Sequence, residues 1–112
     1  MPPAHGATIV NAILNEPQLQ QLWLAELTEM RDRINNLRRL FVARLMEKGV
    51  NSDFSFIEAE KGMFSFLGIS AAQVQTLKKD YSIYMVDSSR INVAGISHTN
   101  IDYLTDALIQ VL

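Results

Sequence analysis

Apolar residues recur at steps of three and four through the first half of the chain. Leu19, Trp23, Leu27, Met30, Ile34, Leu37, Phe41 and Leu45 fall on one stripe of a helix with about 3.6 residues per turn. Arg31, Asp32, Arg33, Asn35, Asn36, Arg38 and Arg39 are read onto the other, solvated faces. Asn15 and Pro17 supply a start signal, as N-cap and first-turn proline. Lys48 and Gly49 supply a stop, a cation in the last turn with a glycine beyond it. The pattern therefore predicts a helix over 15–48, and its roughly 32 residues exceed the usual globular length. A helix of that length is expected to bridge two bodies or to lie across a whole domain. Ahead of it, Pro2, Pro3 and Gly6 make an irregular start, and Ala7 to Leu14 reads as a short helix carrying Ile9, Val10, Ile13 and Leu14.

After Gly49 the period shortens. Phe54 and Phe56, then Met63, Phe64 and Phe66, read as two β-like runs with Lys61-Gly62 as the turn between them. Ser70 caps a further helix carrying Val74 and Leu77. Ile83 to Val86 and Ile91 to Val93 are rich in β-branched residues and read as strands separated by Asp87-Ser88-Ser89. Ser97 to Asn100 opens a last helix that buries Ile101, Leu104, Leu108 and Val111 or Leu112. The expected fold is α/β, a two-layer sandwich in which helices pack on a small sheet, plus one long helix. The expected division is a junction segment over 1–14 and a domain over 15–112.

Length and composition narrow the function classes. The chain has 112 residues, 48% apolar and 20% charged, which suits one globular domain with a modest core. It has no cysteine, so disulfides, thiolate metal sites and a cysteine nucleophile are excluded. The net charge is −2 with Lys and Arg spread along the chain, so no footprint for nucleic acid is expected. No apolar run approaches the ~20 residues of a membrane span, and the first residues lack a signal-peptide pattern. A cytoplasmic location is the expectation.

Catalytic constellations are sparse. No glycine-rich phosphate loop or nucleophile elbow is present. His5 and His98 have no ligand spacing and are read as loop or cap residues, so no metal site is expected. Asp53, Glu58 and Glu60 are read as a solvated strand end, and Trp23 as core. Two places remain. Gly62-Met63-Phe64-Ser65-Phe66 alternates at period two, with Phe64 and Phe66 pointing the same way, as core residues would. In Ser88-Ser89-Arg90-Ile91-Asn92-Val93-Ala94-Gly95 an arginine opens an apolar strand between small residues. Such an arginine is most often a surface residue, yet small neighbours leave room for a ligand, and a guanidinium can grip a carboxylate through two parallel hydrogen bonds.

These segments resemble, in order along the chain, the C-terminal part of class I aspartate and aromatic-amino-acid aminotransferases, which depend on pyridoxal phosphate. Pro2-Pro3-Ala4-His5-Gly6-Ala7 resembles the family's Asn-Pro-Pro-x-His-Gly segment. Glu29-Met30-Arg31-Asp32-Arg33-Ile34 resembles its Glu-Met-Arg-x-Arg-Ile stretch in the long helix. Asp53-Phe54-Ser55-Phe56-Ile57 and Gly62-Met63-Phe64-Ser65-Phe66 resemble its paired strand motifs. Ser89-Arg90-Ile91-Asn92-Val93-Ala94-Gly95 resembles its Gly-Arg-x-x-Val-Ala-Gly motif, with Ser89 where many members have glycine. Met1 stands where the family has asparagine, as expected of a start that is not the parent's own.

The resemblance implies that Arg90 binds the substrate α-carboxylate and that Phe64 borders the substrate. It implies amino-acid and 2-oxo-acid substrates and a homodimer whose long helix joins this domain to a large cofactor-binding one. It also implies that the Schiff-base lysine, the acid beside the pyridine nitrogen, the stacking aromatic and the phosphate donors lie upstream. Lys48, Lys61, Lys78 and Lys79 all lack the family's Ser-x-Ser-Lys surroundings. The expectation is thus an aminotransferase fragment that is inactive alone, with no catalytic or cofactor-binding residue and no bound cofactor. Aspartate and aromatic preference stay equally open. The alternatives are a stand-alone α/β interaction domain and a helical oligomerisation module; the stripe lacks the paired e and g charges the latter needs.

Overall fold

The structure, a computed structural model, describes residues 2–112. Its compact units are Met1–Arg33 and Ile34–Leu112, and one helix belongs to both.

In the first unit, α1 spans His5–Asn15 and α2 starts at Pro17. Both helices are separated by one residue, Glu16, in extended conformation (φ −99°, ψ 114°). The pyrrolidine ring of Pro17 drives the preceding residue out of the helical region, so the break sits there by sterics. Asn15 does not cap α2. Its side-chain amide donates back to the carbonyl and side-chain oxygen of Asn11, both at 2.8 Å. The Glu16 carbonyl accepts from Gln20 N–H at 2.9 Å, which puts Glu16 at the capping position. From Asn15 through Arg33 no side chain is buried, and the stripe residues Leu19, Trp23, Leu27 and Met30 stay exposed. Trp23, expected in the core, is 39% exposed.

The second unit holds the core. α2 continues to Glu47, 31 residues from its start, and buries Leu37, Phe41, Val42 and Leu45. A short turn of helix, α3, spans Phe56–Ala59. Strand β1 is Phe64–Phe66, helix α4 is Ala71–Tyr81, strand β2 is Arg90–Asn92, and helix α5 is Ile101–Val111. Phe54, Ile57, Leu67, Val74, Leu77, Val93, Ile101 and Leu108 complete one apolar cluster with the α2 residues. The architecture is mostly helical with a small antiparallel sheet of two strands.

Local chemistry explains most boundaries. Ser70 accepts from Gln73 N–H at 3.2 Å, and the Gln73 side chain accepts from Ser70 N–H at 2.8 Å, a reciprocal cap on α4. Ser82 ends α4 with a left-handed φ of 54°. Lys48 ties the end of α2 to α5, donating to Thr105 Oγ1 at 2.8 Å and pairing with Asp106 at 2.7 Å.

Two expected strands are absent. Phe54 and Phe56 do not form one, because Phe54 and Ile57 are the buried pair, a helical step of three. Asp53 Oδ1 accepts from Ser55 N–H at 2.8 Å and so starts the α3 turn. Hydrogen bonds from the Ser55 side chain, and then its amide, hold the exposed Asp53 carboxyl below the usual aspartate range. Ile83 to Val86 carry no strand pairing either; β1 pairs with β2 across α4. Leu112 is exposed, so Val111 is the more buried of the two candidates that close α5.

Candidate functional site

The pairing of β1 with β2 sets Phe64 opposite Asn92, Ser65 opposite Ile91 and Phe66 opposite Arg90. Side chains alternate across a strand, so burying Ser65 turns Phe64 and Phe66 outward, at 47% and 51% exposed. These are not the core residues that their alternation suggested. Arg90 and Asn92 emerge on the same outer face. The Arg90 guanidinium lies over the Phe64 ring, 4.9 Å from its centroid. That contact is diagonal across the ladder, within reach of a long side chain.

Among the described residues, no carboxylate pairs with Arg90. Its fork is thus aimed and unspent, braced on one side by an aromatic face. A cleft of about 320 Å³ beside it is lined by Arg90, Asn92, Tyr84, Tyr103, Ile96 and Leu104. The arrangement suits a small anion with an apolar portion: the guanidinium supplies two parallel donors and the aromatics supply a surface.

The approach to Arg90 is tied down by hydrogen bonds. Ser89 is fully buried with a positive φ of 64°, a conformation that costs an L-residue roughly 1–2 kcal/mol and that glycine adopts freely. Its hydroxyl offsets the cost by accepting from Gly68 N–H at 3.0 Å, and its carbonyl accepts from Leu67 N–H at 2.9 Å. This explains why serine can stand at the motif position that resembles a glycine. After the strand, Asn92 Oδ1 accepts from Ala94 N–H at 3.0 Å and starts the 3-10 turn Val93–Gly95. Asn100 Nδ2 donates to the Gly95 carbonyl at 2.9 Å, which pins the far end of that turn.

The remaining candidates disperse. His5 begins α1, His98 is an exposed loop residue, and no cluster of metal-ligating side chains occurs among the described residues. Glu60 pairs at 3.7 Å with Arg38. Arg38, expected on a solvated face, is 1% exposed. The signal was present: Arg38 lies four residues after Ile34 and three before Phe41, inside the buried stripe.

A Schiff-base lysine is drawn toward neutrality by burial or by neighbouring cations. Lys48 and Lys78 are instead engaged in ion pairs, at 2.7 Å from Asp106 and 3.3 Å from Asp87. Lys61 and Lys79 are exposed. The residues of this chain therefore do not fit the part of the site that holds a pyridoxal cofactor; they fit a grip on a carboxylate.

The profile of the family described as aminotransferase class I and II matches residues 1–108. The chain belongs to the class I and II aminotransferase family. It is 51% identical over 111 residues to an aspartate aminotransferase of Haemophilus influenzae, covering 99% of this chain and 28% of that protein. It is 43% identical to an aromatic-amino-acid aminotransferase of Pseudomonas aeruginosa, over 98% of this chain and 28% of that one. The crystal structure of a Burkholderia pseudomallei aromatic-amino-acid aminotransferase, covalently bound to pyridoxal phosphate, superposes with a TM-score of 0.96 at 46% identity. That match covers 99% of this chain and 28% of the neighbour. The chain thus spans little more than a quarter of the length of the aminotransferases it matches, and it is a fragment relative to them.

Proposed function

We propose that this chain is the C-terminal, substrate-gripping part of a pyridoxal-phosphate-dependent aminotransferase that moves an amino group between an amino acid, aspartate or aromatic, and a 2-oxo acid. Arg90 takes the substrate α-carboxylate and Phe64 borders the substrate. The observation that carries the reading is the Arg90 guanidinium, held over Phe64 without a carboxylate partner among the described residues. Pyridoxal phosphate supplies the electron sink, and the residues that bind it belong to the part of the parent outside this chain. The 112 residues alone are therefore inactive and take up no cofactor.

On this reading residues 15–112 form the two-layer small domain, and 1–14 form a junction to a large domain. The exposed apolar residues Ile9, Val10, Leu14, Leu19, Trp23 and Leu27 are the surface that the rest of the parent covers. The parent is a cytoplasmic homodimer without nucleic-acid or membrane partners; no helix among the described residues is long and apolar enough to cross a membrane.

The test is Arg90→Lys in the full-length enzyme. Lysine keeps the charge and loses the fork, so kcat/KM should fall by roughly 2–5 kcal/mol of transition-state stabilisation. An unchanged kcat/KM makes Arg90 an ordinary surface residue and returns the chain to a binding or interaction role.

A further inference from the structure

Arg38 is the charged side chain that the fold buries most completely, and the carboxylate grip of Arg90 does not explain it. Its Nη1 donates to the Ile57 carbonyl at 3.1 Å and to the Ser65 hydroxyl. Its Nη2 donates to the Gly62 carbonyl at 2.6 Å and to the Phe64 carbonyl at 3.2 Å. A guanidinium taken out of water costs several kcal/mol unless its donors are met; here both Nη atoms are met and Glu60 lies 3.7 Å away, while Nε is buried without a hydrogen-bond partner among the described residues.

Carbonyls alternate across a strand edge. The Met63 carbonyl accepts from Val93 N–H at 2.8 Å, on the side toward β2. That of Phe64 therefore points to the opposite edge of β1, which no third strand covers among the described residues, and Gly62, in the bend before the strand, offers its carbonyl to the same Arg38 nitrogen. Arg38 supplies the donors that a neighbouring strand would supply there. Its two terminal nitrogens divide the work, Nη2 on the Gly62 and Phe64 carbonyls and Nη1 on the Ile57 carbonyl and the Ser65 hydroxyl, a spread that the single nitrogen of a lysine does not span.

We propose that Arg38 is a positioning residue for the substrate carboxylate: from helix α2 it serves as a surrogate strand on the outer edge of β1, and so fixes the Phe64 ring on which the Arg90 guanidinium rests. Phe64 is the link. Its carbonyl is held by Arg38 and its ring is covered by Arg90. Gly62, with a positive φ of 85°, is the joint that would loosen without that hold. The inference rests on the reading of Arg90 as the carboxylate ligand.

Arg38→Lys, Ser65→Ala and Arg90→Lys in the full-length enzyme form the test. The probe is succinate, which has carboxylates and no amino group to transfer; its Kd is measured by calorimetry, beside KM and kcat for the amino acid. With folding confirmed by circular dichroism, Arg38→Lys should raise the succinate Kd and KM about tenfold, more than it changes kcat, as expected when a binding group is displaced without being removed. Ser65→Ala keeps Arg38 and its backbone partners and should raise both about twofold to threefold. A role confined to stability would lower the melting temperature and leave the Kd of the folded protein alone. If Arg90→Lys weakens succinate and Arg38→Lys does not, the positioning role is overturned and the carboxylate reading stands. If neither weakens it, both fall. If Arg38→Lys does not fold, an unchanged Kd in Ser65→Ala overturns the proposal.

Discussion

One helix carries two kinds of apolar residue in this chain. Along α2 the same stripe runs from Leu19 to Leu45, yet Leu19, Trp23, Leu27 and Met30 are 37% to 54% exposed while Leu37, Phe41 and Leu45 are at most 5% exposed. The spacing is identical and the environment is opposite. Periodicity announces a face that requires burial; it does not say which polypeptide provides the cover. The covered half owns its partners, Val74, Leu77, Ile101 and Leu108 among them. The bare half belongs to a fragment that spans 28% of its Haemophilus influenzae relative, and its cover is sought in the missing remainder.

Substitutions on the two halves should separate most widely in stability. Phe41→Ala leaves a cavity in the cluster and should cost about 3–5 kcal/mol in urea unfolding of this chain. Met30→Ala, on the bare half, should stay within about 0.5 kcal/mol. Equal costs would mean that the two halves are covered alike. A smaller effect concerns association. The isolated chain should self-associate through the bare half, and Leu27→Glu should weaken that association about tenfold in sedimentation velocity across a concentration series. A strictly monomeric chain at high concentration would break the comparison, since the bare face would then need no cover.

The same contrast shows what was legible in the sequence. The helices α2, α4 and α5 follow from apolar spacing and from the Ser70 cap, because those signals are local. The runs at Phe54–Phe56 and Ile83–Val86 misled, since a short apolar run does not state its period. One became a helical turn started by Asp53, and the other lies between the left-handed Ser82 and the turn before Ser89. Arg38 was hidden by its charge: its place in the stripe was visible, but the carbonyls it would meet lie 19 to 26 residues away. The residues alone singled out the segments of Arg90 and Phe64, and the resemblance supplied their roles. Their stacking depends on strands that pair across the whole of α4, which no local spacing encodes.

The smallest expected effect is the most direct test of what Arg90 is for. A guanidinium reserved for a ligand contributes to catalysis and little to the fold, whereas a structural ion-pair arginine does the reverse. The unfolding midpoint of this chain with Arg90→Lys, set beside the kcat/KM of the same variant in the full-length enzyme, distinguishes them. The account predicts a stability change within about 0.5 kcal/mol together with a severe loss of kcat/KM. A variant that melts the domain while leaving kcat/KM intact would contradict it.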